Sequence, residues 1–174
     1  LWPTIGVILC VRLWRSGDAV VYKLGAHYNI VGYYFLFRMM LRSLDDVIQV
    51  FRAISLLIVP LAVFMLVEKS TGRNLFSVFG GVSAITLVRD GVLRCQGPFS
   101  HPILAGTFGA TVLPLVTCLW LDGALGKILA AGGVVSSLII TVASGSSGPV
   151  LAFMAAVLAL SLWRARTHMY ILRR

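Results

Sequence analysis

Residues 103–121 read ILAGTFGATVLPLVTCLWL, a nineteen-residue apolar run punctuated only by threonine. At 1.5 Å per helical residue it reaches about 28 Å, close to the ~30 Å hydrocarbon thickness of a bilayer. It therefore reads as a membrane-spanning helix. Gly106 and Gly109, with Ala105 and Ala110 beside them, let a second helix approach closely. A polar turn at 122–127 leads to a further span at 128–143, with Gly132, Gly133, Ser136 and Ser137 as packing positions. Ser144-Gly145-Ser146-Ser147-Gly148-Pro149 interrupts the apolar pattern, and 150–163 reads as another span ending at Trp163. Upstream, 53–67 is also a span, and its Pro60 is tolerable in a membrane helix.

The whole chain agrees with this local reading. Of its 174 residues, 59% are hydrophobic and only 12% charged, and the mean hydropathy is +0.94. A soluble domain of this size could not bury that much apolar surface, and a disordered chain would not carry it. The net charge of +9 does not imply nucleic acid, because the cations sit in the gaps between apolar runs. Cys10, Cys95 and Cys118 are far apart, show no CxxC or His/Cys cluster, and read as small hydrophobes with no metal site.

The expected architecture is all-α, a polytopic transmembrane helix bundle with a structured external loop over 68–102. The N-terminal part, 1–52, holds an apolar run too short to span (Leu1–Val11), a partial span over 25–40 and a short amphipathic segment at Val47–Phe51. Residues 53–163 form the transmembrane core and 164–174 a basic cytoplasmic tail. Because Leu1 opens within an apolar run, the chain reads as part of a longer polytopic protein. The Lys/Arg bias places the Arg38–Arg52 gap and the tail inside, and hence 68–102 and 144–149 outside. Lys69, Arg73, Arg89 and Arg94 then lie on the side the bias disfavours, which asks for another role, such as holding an anion.

Arg89-Asp90-Gly91-Val92-Leu93-Arg94-Cys95-Gln96-Gly97-Pro98-Phe99-Ser100-His101-Pro102 is the main candidate for chemistry. Arginine presents paired donors that match phosphate oxygens. Gly97 allows backbone amides to approach an anion. Arg94 can equally snorkel to lipid head groups or pair with Asp90. His101 can take a proton from a hydroxyl nucleophile, or cap the helix that Pro102 begins. Ser146 and Ser147, where two spans meet, can offer hydroxyls and amides to the same anion or form an ordinary turn. Glu68 and Lys69 read as an interfacial cap.

The stretch from Arg94 to Gly106, RCQGPFSHPILAG, leads into a span, and a second span and the Ser144–Pro149 break follow. Together with Glu68-Lys69-Ser70-Thr71-Gly72-Arg73-Asn74-Leu75-Phe76, it resembles the core of the O-antigen ligase and O-antigen polymerase superfamily, over roughly 53–163. The resemblance implies a membrane glycosyltransferase of the bacterial inner membrane. Such an enzyme moves a glycan from an undecaprenyl-pyrophosphate carrier to a lipid- or glycan-linked acceptor hydroxyl on the periplasmic face. It needs no metal or other cofactor. Arg94 matches the arginine that holds the carrier pyrophosphate; the chemistry of the stretch itself adds Arg89 as a second contact and His101 as a further catalytic candidate. Ser147-Gly148 stands where the family often has a serine followed by a second arginine. The family's large periplasmic loop with its catalytic histidine comes later than the stretch matched here. The alternative from another class is a transporter or lipid-flipping module for an anionic substrate, which calls for paired broken helices.

Overall fold

The computed structural model describes residues 17–163, so the expected run Leu1–Val11 and the basic tail 164–174 lie outside the described residues. The chain divides into two compact units, Leu1–Val47 and Ile48–Arg174. In the first, α1 runs over Gly17–Met40 as one helix of 24 residues. Asp18 and Lys23 lie within the helix, since no Gly-Pro pair or turn motif interrupts it there. Tyr22, Tyr28, Tyr33 and Phe35 are exposed along it. A reciprocal cap starts the next helix: Ser43 N donates to Asp46 Oδ2 (2.9 Å) and Asp46 N to Ser43 Oγ (3.2 Å). Asp46 thus meets the backbone of Arg42 (3.0 Å) rather than its guanidinium.

That helix, α2, runs over Leu44–Thr71 for 28 residues. The separate amphipathic segment at 47–51 and the span at 53–67 are therefore one element. Only Arg52 separates them, and its guanidinium is neutralised by Asp122 at 2.7 Å, so nothing breaks the helix. After Thr71 the chain forms a short 3-10 turn, Leu75–Phe79, and a two-stranded antiparallel hairpin, β1 Leu87–Arg89 and β2 Val92–Arg94. The described residues remain mostly helical, and this short hairpin lies within the loop that the sequence expects to be structured. Asp90 (φ 54°) and Gly91 (φ 75°) both take positive φ, the backbone of a tight hairpin turn that matches strand twist.

The remaining elements are α3 (Pro102–Cys118) with a 3-10 extension (Leu119–Leu121), α4 (Gly123–Ala143) and α5 (Ser147–Leu162). The spans expected from Ile128 and Val150 begin earlier, at Gly123 and Ser147. Gly123 alone, at φ 71°, turns the chain after Asp122, so no longer loop is needed. Among the described residues three helices are long and apolar enough to cross a membrane: α2, α3 with its extension, and α4; α5 is a shorter apolar helix.

Small residues bring these helices together. Gly133 faces Ser55 and Val116, Gly109 faces Thr141 and Ser137, and Gly106 faces Ser144 and Pro149. Ser55 Oγ donates to Leu129 O (2.5 Å), and Ser137 Oγ to Gly109 O. Such bonds tie helices where lipid offers no hydrophobic drive. Around this seam Ile58, Met65, Val112, Val116, Ile140 and Cys95 form the buried core. The Arg52–Asp122 pair marks one end of the second unit. At the other end Cys95 N donates to Ala143 O (3.1 Å), which sets the hairpin against the α4–α5 turn.

Candidate functional site

Strand geometry explains why two arginines point the same way. Leu87 pairs with Arg94 and Arg89 with Val92. Alternate residues share a face and directly opposed residues share it too, so Arg89 and Arg94 emerge together. That face looks onto the α4–α5 turn. Between them lies a cavity of about 330 Å³ lined by Arg89, Asp90, Val92, Arg94, Gly145, Ser146 and Ser147.

Arg94 Nη2 donates to Ser146 Oγ at 2.5 Å. Its Nε is buried and, among the described residues, is the one buried side-chain polar atom with no hydrogen-bond partner. A buried donor without a partner costs roughly 1–3 kcal/mol, more when charged, so this edge of the guanidinium favours an acceptor. Ser146 is the N-cap of α5, yet its side chain makes no capping bond. Its hydroxyl instead donates to Ser144 O (3.2 Å). The first amides of α5 are thus left for an anion at the positive end of the helix. Gly145 permits the approach: it sits at φ 57°, and a Cβ there would lie 3.1 Å from Arg94 Cγ and 3.2 Å from Leu93 O. Arg89 is exposed and loosely paired with Asp90 at 3.6 Å, which leaves its charge available to the cavity.

Four of the sequence candidates, Arg89, Arg94, Ser146 and Ser147, thus meet in one cavity. Arg94 pairs with Ser146, not with Asp90. Gly97 and His101 do not line it. Gly97, at φ 54°, donates its N–H to Glu68 Oε2 (2.9 Å) and accepts from Asn74 Nδ2 at its carbonyl (2.7 Å). His101 is the N-cap of α3, and its Nδ1 accepts from Ile103 N (3.2 Å).

Glu68 is the residue that the sequence undervalues. It is 1% exposed rather than an interfacial cap. Its carboxylate accepts from Gln96 N (3.1 Å), Gly97 N (2.9 Å) and Thr86 Oγ1 (3.2 Å). Lys69 Nζ donates to Leu93 O. Adjacent residues of α2 therefore hold the backbone on both sides of Arg94. The signal available in the sequence is a carboxylate closing an apolar span ahead of a Gln-Gly-Pro loop whose amides need acceptors.

Cys95 lies beside this clamp. Burial, and then the negative charge of Glu68, push its thiol from 9.0 up to about 11. The thiol form is favoured in the folded state, so stability should fall as pH climbs from 9 to 11, while the unfolded thiol is already ionised. Cys95 should also resist maleimide near neutral pH until the chain is denatured. A pH titration of thermal unfolding, with wild type set against Cys95→Ala, checks the first point; rapid labelling of the native protein carrying Cys10→Ser and Cys118→Ser would contradict the second.

Among the described residues no group of three or more His, Cys, Asp or Glu side chains is placed to hold a metal ion. Compared with known proteins, the chain matches no family model, no curated protein and no solved structure.

Proposed function

We propose that this chain is a polytopic helical bundle of a bacterial inner membrane and belongs to a glycan ligase or polymerase. In that reading it moves a glycan from an undecaprenyl-pyrophosphate carrier to an acceptor hydroxyl on the periplasmic side. The observation that carries the reading is Arg94, half-buried with one Nη on Ser146, at a cavity that it shares with Arg89. The three long apolar helices support the membrane setting.

The chemistry follows from charge. The acceptor oxygen bonds to the anomeric carbon as the bond from that carbon to the diphosphate oxygen breaks. Negative charge grows on the leaving diphosphate. Arg94, Arg89 and the N-terminus of α5 lower the barrier by stabilising that charge with donors already in place. The proton of the acceptor hydroxyl passes to a base or to water outside this set of residues; His101, the base that the sequence offers, caps α3 and does not line the cavity.

Arg94→Ala in the intact protein should lower surface glycan transfer by about 10²–10³-fold, as loss of a pre-placed charge donor does. Arg94→Lys should rescue little, because an ammonium cannot bond Ser146 and a phosphate oxygen in one plane. Transfer at the wild-type rate with normal protein level in the membrane would overturn the assignment.

A further inference from the structure

We infer that the Leu75–Phe79 turn is a membrane-interface wedge, an apolar element set into the lipid boundary beside α2. It rests on the reading of α2 as a membrane span and not on the transferase assignment.

Val78 and Phe79 are 85% and 86% exposed, and Ile85 beside them is 76% exposed. In water such a patch would be costly. Its depth is set by a contact with α2. Phe76 meets Phe64 edge to face, with ring centroids 5.4 Å apart. Phe64 precedes the end of α2 at Thr71 by about 10 Å of helical rise. The chain therefore leaves α2, reverses at Gly72 (φ 68°) and descends along the helix flank. That flank is itself apolar and exposed: only 22% of the apolar window of α2 is buried, and Leu57, Val63 and Phe64 face outward. The surface of the turn thus continues the surface that lipid must cover.

Charge and rigidity agree with a lipid occupant. Arg73 is exposed and shares with Leu75, Val78 and Ile85 one recess of about 360 Å³. A cation beside bulky apolar side chains suits head-group phosphate next to acyl chain. Asn74 fixes the turn from within: it is 2% exposed, accepts from Phe76 N (3.0 Å) and donates to Gly97 O (2.7 Å). Gly80 and Gly81, both at positive φ, end the turn and lead the chain away. The wedge is consequently tied to the same backbone that carries Arg94.

The test uses the full chain in phosphatidylethanolamine/phosphatidylglycerol vesicles, with Cys10→Ser and Cys118→Ser, and a nitroxide placed at Phe79→Cys. Leu57→Cys on α2 serves as a lipid reference and Asp90→Cys at the hairpin tip as an aqueous one. The label at 79 should relax with oxygen several-fold more than with a water-soluble nickel chelate, as at 57 and opposite to 90. An aqueous pattern at 79 with a lipid pattern at 57 overturns the wedge alone. An aqueous pattern at both overturns the wedge together with the membrane reading. Shielding at 79 from both relaxants, with a lipid pattern at 57, means that protein covers the turn and also overturns the inference.

Discussion

Glu68→Leu should destabilise the protein by on the order of 3–5 kcal/mol, the largest loss expected from any single change near the hairpin. The carboxylate accepts from Gln96 N, Gly97 N and Thr86 Oγ1 in a setting where it is 1% exposed. Leucine fills a similar volume but leaves all those donors without a partner or water. Glu68→Gln keeps one carbonyl oxygen and turns an amide N–H₂ toward a backbone donor, so its cost should fall between wild type and leucine. Thermal unfolding in detergent, followed by intrinsic fluorescence, orders the variants. The consequence for function is separable from stability. In Glu68→Gln, compared below its unfolding temperature, the Gln96-Gly97 backbone loosens and transfer should drop while Arg94 is still present. A leucine variant as stable as wild type would show that the buried carboxylate does not hold this loop.

The second large effect concerns the helix seam. A Cβ added at Gly106 would lie 2.7 Å from Pro149 Cβ and 2.9 Å from Pro149 Cγ, and would also collide with Ser144 Oγ. These neighbours are a ring in the first turn of α5 and a buried hydroxyl in the α4–α5 turn, so the helices must separate. Gly106→Ala should cost about 1–3 kcal/mol, although alanine by itself favours a helix by up to ~1 kcal/mol. It should also weaken the site, since the turn it displaces carries Ser146, the partner of Arg94. Gly132→Ala is the control. Its nearest added contact would be Val59 Cγ2 at 3.8 Å, an ordinary van der Waals distance, so this variant should be neutral or slightly stabilising. Equal behaviour of the two alanine variants would count against close packing at Gly106.

The contrast between Gly106 and Gly132 shows what was legible. Apolar runs at helical length mark where α2, α3 and α4 lie, and small residues at Gly106, Gly109 and Gly133 mark close approach, whereas Gly132, which the pattern also offers as a packing position, has room for a Cβ. Element boundaries were less legible. Ser144–Pro149 reads as a break, yet the pattern cannot say that α5 already starts at Ser147. Asp90-Gly91 between apolar residues is a hairpin signal, but it lies inside a charged stretch that reads as plain loop. Glu68 next to Lys69 looks like the polar end of a span, because nothing local distinguishes a carboxylate facing water from one facing amides 28 and 29 residues away.

Composition and run length alone mark helices long and apolar enough to cross a bilayer, and they place most charges in the gaps between the apolar runs. Both follow from local chemistry: hydrophobic transfer sums along a contiguous segment, and charge gathers where the apolar segments stop. Which arginine is half-buried, which keeps an unpartnered nitrogen and which serine it meets came only with the tertiary arrangement. Arg94 and Ser146 are 52 residues apart, joined when the hairpin seats on the α4–α5 turn. Their bond depends on backbone positions set by Glu68, Gly145 and Gly106, none of them neighbours of Arg94 in sequence.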